Sequence, residues 1–189
     1  LYNRPVESVF SLLGEKENDI TFSMGWVLSQ SPSLLKRFLR QTRAMWRGDA
    51  SRLVIALQEF QKNSGITDIE ICEDGPSAGL HVVVEAKRGW SLPSEQQLRK
   101  YVRRFYETKA KERLIVTMSE CSQDYAREYL PARVDGIQVR HISWGEMYSL
   151  SQVNGGSHAE KRLMQEFRNY LTTIVNMQPQ ESNWVYGVS

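Results

Sequence analysis

The chain has 189 residues, of which 41% are hydrophobic and 24% are charged. This length suits one domain with a substantial core, and the composition is that of an ordinary globular protein. No segment approaches the roughly 20 consecutive apolar residues that a membrane helix needs, and a formal net charge of +2 gives the whole chain no strong preference for a polyanion.

Three helices are predicted at the start of the chain. Apolar residues recur at helical spacing over residues 5–13, where Pro5 suits a first helical turn. A second helix is expected to begin near Glu17, with an apolar stripe over residues 20–28. A third begins at Pro32, because Ser31 is a favoured N-cap residue.

The pattern then changes to strands. Residues 52–60 fit either a strand or a helix, and their β-branched content together with the turn that follows favours a strand. Residues 66–72 alternate between apolar and charged side chains, which indicates a second strand. Residues 80–87 form the strongest strand pattern, and the consecutive valines within it indicate burial on both faces and a central position.

Helices and strands alternate in the second half of the chain. Ser94 is expected to cap a helix over residues 95–108. Further elements are predicted as a strand at 114–118, a short helix at 125–130, a strand at 136–143, a helix at 159–175 and a tail at 177–189. This order predicts an α/β sandwich, in which helices cover a mixed sheet, folded as one domain over residues 1–176.

Charged side chains occupy two neighbouring strands where core residues are expected. Glu85 and Lys87 are two residues apart, so they project from the same face of their strand. Asp68 and Glu70 stand in the same relation on the preceding strand. Buried charges are costly unless they pair or bind a metal, so the cluster is either a network of salt bridges or a metal site.

A metal site of this composition suits the hydrolysis of phosphodiester bonds. The carboxylates of Asp68 and Glu85 are hard oxygen ligands of the kind that Mg²⁺ prefers. Lys87 could orient the attacking water, deprotonate it or stabilise the developing anion, and the sequence does not separate these roles.

These residues resemble the motif of the PD-(D/E)XK nuclease superfamily, an Asp on one strand followed by an acid-x-Lys on the next. Here the motif reads Gly65-Ile66-Thr67-Asp68, with Glu85-Ala86-Lys87 seventeen residues after Asp68, and Thr67 stands where the family has Pro. The resemblance covers about residues 17–118. It implies a restriction-endonuclease-like α/β/α sandwich with a central mixed sheet, and a Mg²⁺- or Mn²⁺-dependent hydrolase whose metal ligands are Asp68 and Glu85.

Further residues extend the resemblance. Gln97 and Tyr101 lie four apart on the helix after the Glu85 strand and resemble the Gln-x-x-x-Tyr motif of RecB-like exonucleases. With Arg104 they are expected to meet the substrate, although Tyr101 could instead simply pack on the sheet. Glu17 falls on the core-facing stripe of its helix, where the family often supplies a catalytic acid; the alternative is a glutamate favoured by the helix dipole.

Basic residues form two groups along the chain, one over residues 36–47 and the other over residues 99–113. Such groups follow phosphate backbones in some proteins and are solvated helix faces in others, and both interpretations stay open. Trp90, just after the acid-x-Lys strand, is a candidate for stacking on a base. His81 is interpreted as a structural residue with a polar partner.

Compartment and partners follow from the remaining features. Cys72 and Cys121 are too few for a disulfide framework, and no apolar segment of a secretory signal follows residues 1–4. We therefore expect a cytoplasmic nuclease acting on DNA, with no membrane association. Endonuclease or exonuclease action, RNA as substrate, a homodimer, and a non-catalytic binding module on the same fold are alternatives that the sequence leaves open.

Overall fold

The computed structural model describes residues 8–62, 64–73, 79–106, 108–152 and 156–175. The α-helices within these ranges are α1 Glu17–Gln30, α2 Pro32–Gln41, α3 Glu95–Val102, α4 Gln123–Tyr129, α5 Trp144–Leu150 and α6 His158–Ile174. The strands are β1 Leu53–Leu57, β2 Phe60–Gln61, β3 Gly65–Ile66, β4 Ile69–Glu73, β5 Leu80–Ala86, β6 Glu112–Ser119, β7 Arg133–Val134 and β8 Ile137–Ser143. Short 3₁₀ helices cover Val9–Leu12, Ala50–Arg52 and Arg103–Phe105.

Most helix starts are fixed by a serine N-cap. The hydroxyl of Ser31 accepts a hydrogen bond from the Leu34 backbone N–H at the start of α2, with Pro32 in the first turn as predicted. Ser94, Ser143 and Ser157 cap α3, α5 and α6 in the same way. Each cap satisfies a backbone donor that the helix itself leaves without a partner.

A mixed sheet of six strands forms the centre of the fold, in the order β1-β4-β5-β6-β8-β7. Strand β4 pairs antiparallel with both β1 and β5, whereas β6 pairs parallel with both β5 and β8. All seven residues of β5 are buried, which confirms the central position expected from its valines. Strands β2 and β3 form a separate two-stranded hairpin.

The hydrophobic core lies on both faces of this sheet. Val82 and Val84 of β5 face a large cluster that includes apolar residues of α1, α2, α5 and α6. Val83 points to the opposite face, where it joins a smaller cluster with Leu98 and Val102 of α3. Because alternate residues of one strand bury against helices on either side, the predicted α/β sandwich with a central mixed sheet is confirmed.

Some predicted elements differ in extent from those observed. The strand expected over residues 52–60 is divided at Gln58, whose backbone lies in the left-handed region at φ 49°. The helix expected to reach residue 108 ends at Val102 and continues as a 3₁₀ turn to Phe105. Part of the first predicted helix and the whole of the predicted tail at 177–189 lie outside the described residues.

Two elements of the fold were not predicted. Helix α5 begins at Trp144 directly after β8, and strand β7 is only two residues long. No helix among the described residues has the length and apolar character needed to cross a membrane.

Candidate active site

Asp68 lies immediately before β4, at the end of the sheet where β5 finishes. Because Ile69 pairs with Val84 in the antiparallel ladder, the register continues to place Asp68 opposite Glu85. One Asp68 carboxylate oxygen, Oδ2, accepts a hydrogen bond from the Ala86 backbone N–H at 2.7 Å. The structure thus brings the two acids of the predicted motif to adjacent strands at one end of the sheet.

Glu85 and Lys87 form an ion pair at the end of β5. The Lys87 Nζ lies 2.6 Å from Glu85 Oε1, as expected for residues on one face of a strand. The Glu85 side chain is 3% exposed, whereas that of Lys87 is 23% exposed. The ammonium group of Lys87 thus contacts a buried carboxylate while the lysine side chain remains partly exposed to solvent.

Glu17 reaches the same site from the first turn of α1. Its Oε1 lies 3.0 Å from Lys87 Nζ, and its Oε2 accepts a hydrogen bond from the Arg88 backbone N–H at 3.1 Å. Asp19, two residues further along, instead caps the helix by accepting from the Lys16 backbone N–H. Of these two acids, only Glu17 contacts the lysine.

Gln97 and Tyr101 hold the Glu85 carboxylate from α3. Gln97 Nε2 donates to Glu85 Oε1 at 2.6 Å, and the Tyr101 hydroxyl lies 2.6 Å from Glu85 Oε2. Tyr101 is only 4% exposed, and its hydroxyl contacts Glu85 and the backbone carbonyl of Ile66. Gln97 also lines a shallow surface pocket of about 340 Å³ beside Lys100, so its other side is accessible.

The charges of the site shift the pKa of its members. Burial, followed by the nearby charge of Glu85, raises the pKa of the Asp68 carboxyl to about 7. Burial opposes the charged form of Lys87, but its hydrogen bond to Glu85 and the charges of Glu85 and Glu17 outweigh this effect and raise its pKa. Burial also raises the pKa of Tyr101, with a further contribution from the Glu85 charge.

Arg104 lies away from this site. It is 6% exposed and pairs with Glu70, and its Nη2 donates to the backbone carbonyls of Glu59 and Gly65 at 2.5 Å each. Arg104 was predicted to contact the substrate, but the structure buries it against Glu70. Its guanidinium ties β4 to the β2–β3 hairpin instead.

Glu70 is the centre of this second buried network. Besides Arg104, its carboxylate accepts from the Thr67 hydroxyl at 2.8 Å and lies 3.0 Å from His81 Nε2. The partner expected for His81 is thus Glu70. Together with Cys72, these two residues also offer metal-ligand atoms that lie within 4.8 Å of one another, but Arg104 already neutralises Glu70.

Two supporting residues of the site had not been predicted. The Arg88 guanidinium donates to the backbone carbonyls of Glu15 and Ile174 at 2.6 Å each, which joins the start of α1 to the end of α6. The Trp144 indole N–H donates to the Lys87 carbonyl at 3.1 Å. Arg88 could have been suspected from its place beside Lys87, whereas Trp144 has no signal in the sequence because the contact spans 57 residues.

Trp90, the predicted base-stacking candidate, lies just beyond the site. It is 38% exposed and packs edge-on against Tyr125, with ring centroids 4.9 Å apart. Part of its ring is therefore accessible, and part is covered by a neighbouring aromatic ring.

Comparisons with known proteins give little further information. No family model matches the chain, and no curated protein matches it either. Among solved structures, the chain is similar to the MspJI restriction endonuclease in complex with a 27-mer oligonucleotide, with 16% identity and a TM-score of 0.34. The likeness covers 92% of this chain and 37% of that chain. This likeness is weak.

Proposed function

We propose that this protein is a metal-dependent nuclease of the PD-(D/E)XK type that hydrolyses phosphodiester bonds, with DNA as its substrate. One observation carries the proposal. Three carboxylates, those of Asp68, Glu85 and Glu17, converge at one end of the sheet around a single lysine, Lys87. Buried charges are costly unless they are compensated, and this cluster has three carboxylates to one lysine.

The donor set fits a divalent cation. Burial and the nearby charge of Glu85 raise the pKa of Asp68 to about 7, which supports a site where a cation would stabilise the ionised carboxylate. Oxygen ligands from Asp68 and Glu85 suit Mg²⁺ or Mn²⁺. When bound, such an ion lowers the pKa of a coordinated water and neutralises charge on the scissile phosphate.

Lys87 acts as a cation in this proposal. Because Glu85 and Glu17 raise its pKa, the ammonium stays protonated at neutral pH. A protonated lysine stabilises the negative charge that develops on the phosphate, and it can orient a water through its N–H groups. Of the roles considered for Lys87, deprotonation of the water is the one that its pKa disfavours.

Gln97 and Tyr101 position Glu85 and do not act on the phosphate themselves. Each occupies a different oxygen of the Glu85 carboxylate, which fixes the plane in which its remaining lone pairs point. Loss of a residue that hydrogen-bonds to a metal ligand commonly lowers metal affinity or activity by about 10–100-fold. Glu17, which contacts Lys87 and the Arg88 N–H, holds the lysine from the other side.

The proposal also includes the extent of the domain and its compartment. We take residues 1–176 as one nuclease domain of the restriction-endonuclease-like fold, acting in the cytoplasm. Substrates with and without free ends separate endonuclease from exonuclease action, and the molar mass of the protein in solution tests for a homodimer.

The test is a cleavage assay with linear duplex, circular duplex and single-stranded DNA, and with RNA, in Mg²⁺, in Mn²⁺ and in EDTA. The wild type is expected to cut at least one DNA substrate only when metal is present. The variants Asp68→Asn and Lys87→Met should cut at least about a hundredfold more slowly, since each removes a charge on which the reaction depends. Asp124→Asn, on the exposed face of α4, is the matched control and should retain full activity.

Two results would contradict the proposal. Absence of metal-dependent cleavage by the folded wild type would favour a non-catalytic binding module, provided that the protein still binds DNA. Equal cleavage by the wild type and both variants would assign the Asp68–Glu85–Lys87 cluster to a purely structural salt bridge.

A further inference from the structure

Basic residues from three separate parts of the chain meet at the end of the sheet opposite the candidate active site. Two adjoining grooves, of about 470 and 920 Å³, share the side chain of Trp46. The cations that line them are Lys36, Arg40, Arg43 and Arg47 from α2 and the segment after it, Lys111 and Arg113 from β6 and the bend before it, and Arg133 and Arg140 from β7 and β8. We call this surface the basic face.

The basic face has a strong charge. Its eight cations are accompanied by two carboxylates, those of Glu112 and Asp135, so its lining has a formal charge of +6 against +2 for the whole chain. Both carboxylates have partners: Glu112 Oε1 accepts from the Met45 backbone N–H at 2.5 Å, and Asp135 pairs with Arg99 on α3. The rest of the chain is therefore net negative.

The cations of the basic face have few acidic partners. Within the part of the chain that the structure describes, none of the eight forms an ion pair with a carboxylate. By contrast, Arg88, Arg99 and Arg127 elsewhere on the molecule each have at least one. Clustered like charges without counterions repel one another, so the surface is suited to an anionic ligand with several regularly spaced charges.

The two sites are separated by the length of a strand. Gly79 lines the basic face and precedes β5, whereas Glu85 and Lys87 lie at its carboxyl end. Six residue steps of about 3.3 Å place the two ends roughly 20 Å apart. Phosphates held on the basic face are therefore not those at the candidate active site.

We infer that the basic face binds the phosphate backbone of nucleic acid at a second, non-catalytic site. Its two adjoining grooves, lined by eight cations, offer contacts to several phosphates. Trp46 and Met45, which is 80% exposed, offer apolar surface to bases or sugars. The inference extends the proposed function by giving the substrate a holding site remote from the point of cleavage. Binding alone, however, is independent of turnover.

Binding of a fluorescent 20-base-pair duplex, measured by anisotropy in EDTA over a range of salt concentrations, tests this inference. The variant Arg40→Gln/Lys111→Gln removes one arginine and one lysine from the basic face. The matched control, Lys161→Gln/Arg162→Gln, removes the same charges from exposed positions on α6. Loss of two phosphate contacts should weaken binding about tenfold and reduce the slope of log K against log salt by about 2, and the control should stay within about twofold of wild type.

Several outcomes would overturn the inference. The basic-face variant could bind the duplex as tightly as the wild type, or the control could lose as much affinity as the basic-face variant. A third is that vesicles containing anionic lipid bind this surface and the duplex does not. Lys111→Glu, a single exposed change, serves as a second variant if the double variant fails to fold. The measurement needs no cleavage, so its failure and that of the proposed nuclease activity are distinguishable.

Discussion

Asp68 is the residue whose ionisation depends most on its surroundings. Its carboxyl is half-buried, lies next to Glu85 and has one backbone donor, the Ala86 N–H. In the unfolded chain an aspartate has a pKa near 3.8, and in the folded protein the pKa is about 7. The folded protein therefore binds the proton more tightly than the unfolded chain does, and raising the pH from about 4 to about 7 destabilises it.

Asp68→Asn is expected to remove this pH dependence in the absence of metal. The amide oxygen can still accept from the Ala86 N–H, but it has no charge to repel Glu85. In EDTA the free energy of unfolding of the variant should exceed that of the wild type by about 2 kcal/mol at pH 8, with solvent screening of a half-buried group taken into account. Urea unfolding at pH 5 and pH 8 measures the difference, which should be smaller at pH 5; an identical difference at both values would contradict the raised pKa.

Tyr101→Phe tests whether α3 positions Glu85. The change keeps the packing of the ring and removes only the hydroxyl that contacts Glu85 Oε2. We expect nuclease activity and metal affinity to fall by roughly 10–100-fold without loss of fold. Tyr170→Phe is the matched control, because its buried hydroxyl donates to the Gly14 carbonyl, and it should leave activity unchanged. Equal activity in wild type and Tyr101→Phe would limit this tyrosine to packing.

Much of the candidate site was predictable because strand geometry is simple. The period of two places Glu85 and Lys87 on one face, and antiparallel pairing with the preceding strand brings Asp68 beside them. The position of Arg104 was harder to predict. Helix α3 ends at Val102, so Arg104 lies in the 3₁₀ turn that follows, where α-helical spacing from Gln97 and Tyr101 no longer predicts its direction. There it pairs with Glu70 of β4.

At the scale of elements, Arg104 follows α3 and connects it to β4 and to the small β2–β3 hairpin. It contacts the Glu70 side chain and the carbonyls of Glu59 and Gly65. The hairpin in turn leads directly to Asp68 through Thr67, whose hydroxyl donates to Glu70. The buried ion pair therefore orders the segment that carries the first acid of the candidate site.

Arg104→Met is expected to destabilise the protein, because it leaves Glu70 buried with less compensation for its charge. The free energy of unfolding should fall by about 3 kcal/mol, the order found when one member of a buried pair is removed. The double variant Arg104→Met/Glu70→Leu should recover part of this loss, since no unpaired charge remains. Urea unfolding of the wild type, Arg104→Met, Glu70→Leu and the double variant measures both effects, and strictly additive losses would mean that the two residues do not interact.

The long elements of the fold were predictable, and the short ones were not. Helices α1, α2 and α6 have caps or apolar stripes that extend over several turns, and β5 has three consecutive valines. Strand β7 has only two residues, too few for any periodicity to show. Helix α5 follows β8 without an intervening loop, so its capping box at Ser143 was concealed within a strand pattern.

For the molecule as a whole, occupancy of the candidate site should affect global stability. Metal bound to the folded protein alone stabilises it by RT ln(1 + [metal]/Kd), about 1.4 kcal/mol at ten times Kd. For a chain of this size we expect the melting temperature to rise by roughly 3–5 °C in Mg²⁺ at pH 8. Asp68→Asn should lose most of this rise, and Asp124→Asn should keep it. Differential scanning calorimetry measures the shift, and its absence in the wild type would count against a metal site.

Strand β5, buried along its whole length, also limits how this protein can change during evolution. It is fixed by an antiparallel neighbour on one side and a parallel neighbour on the other, and a slip of one residue would exchange its two faces. A single insertion or deletion between Leu80 and Lys87 would thus turn Glu85 away from Tyr101 and disturb both cores at once. Relatives of this protein should differ here by substitution alone, with their differences in length confined to other parts of the chain.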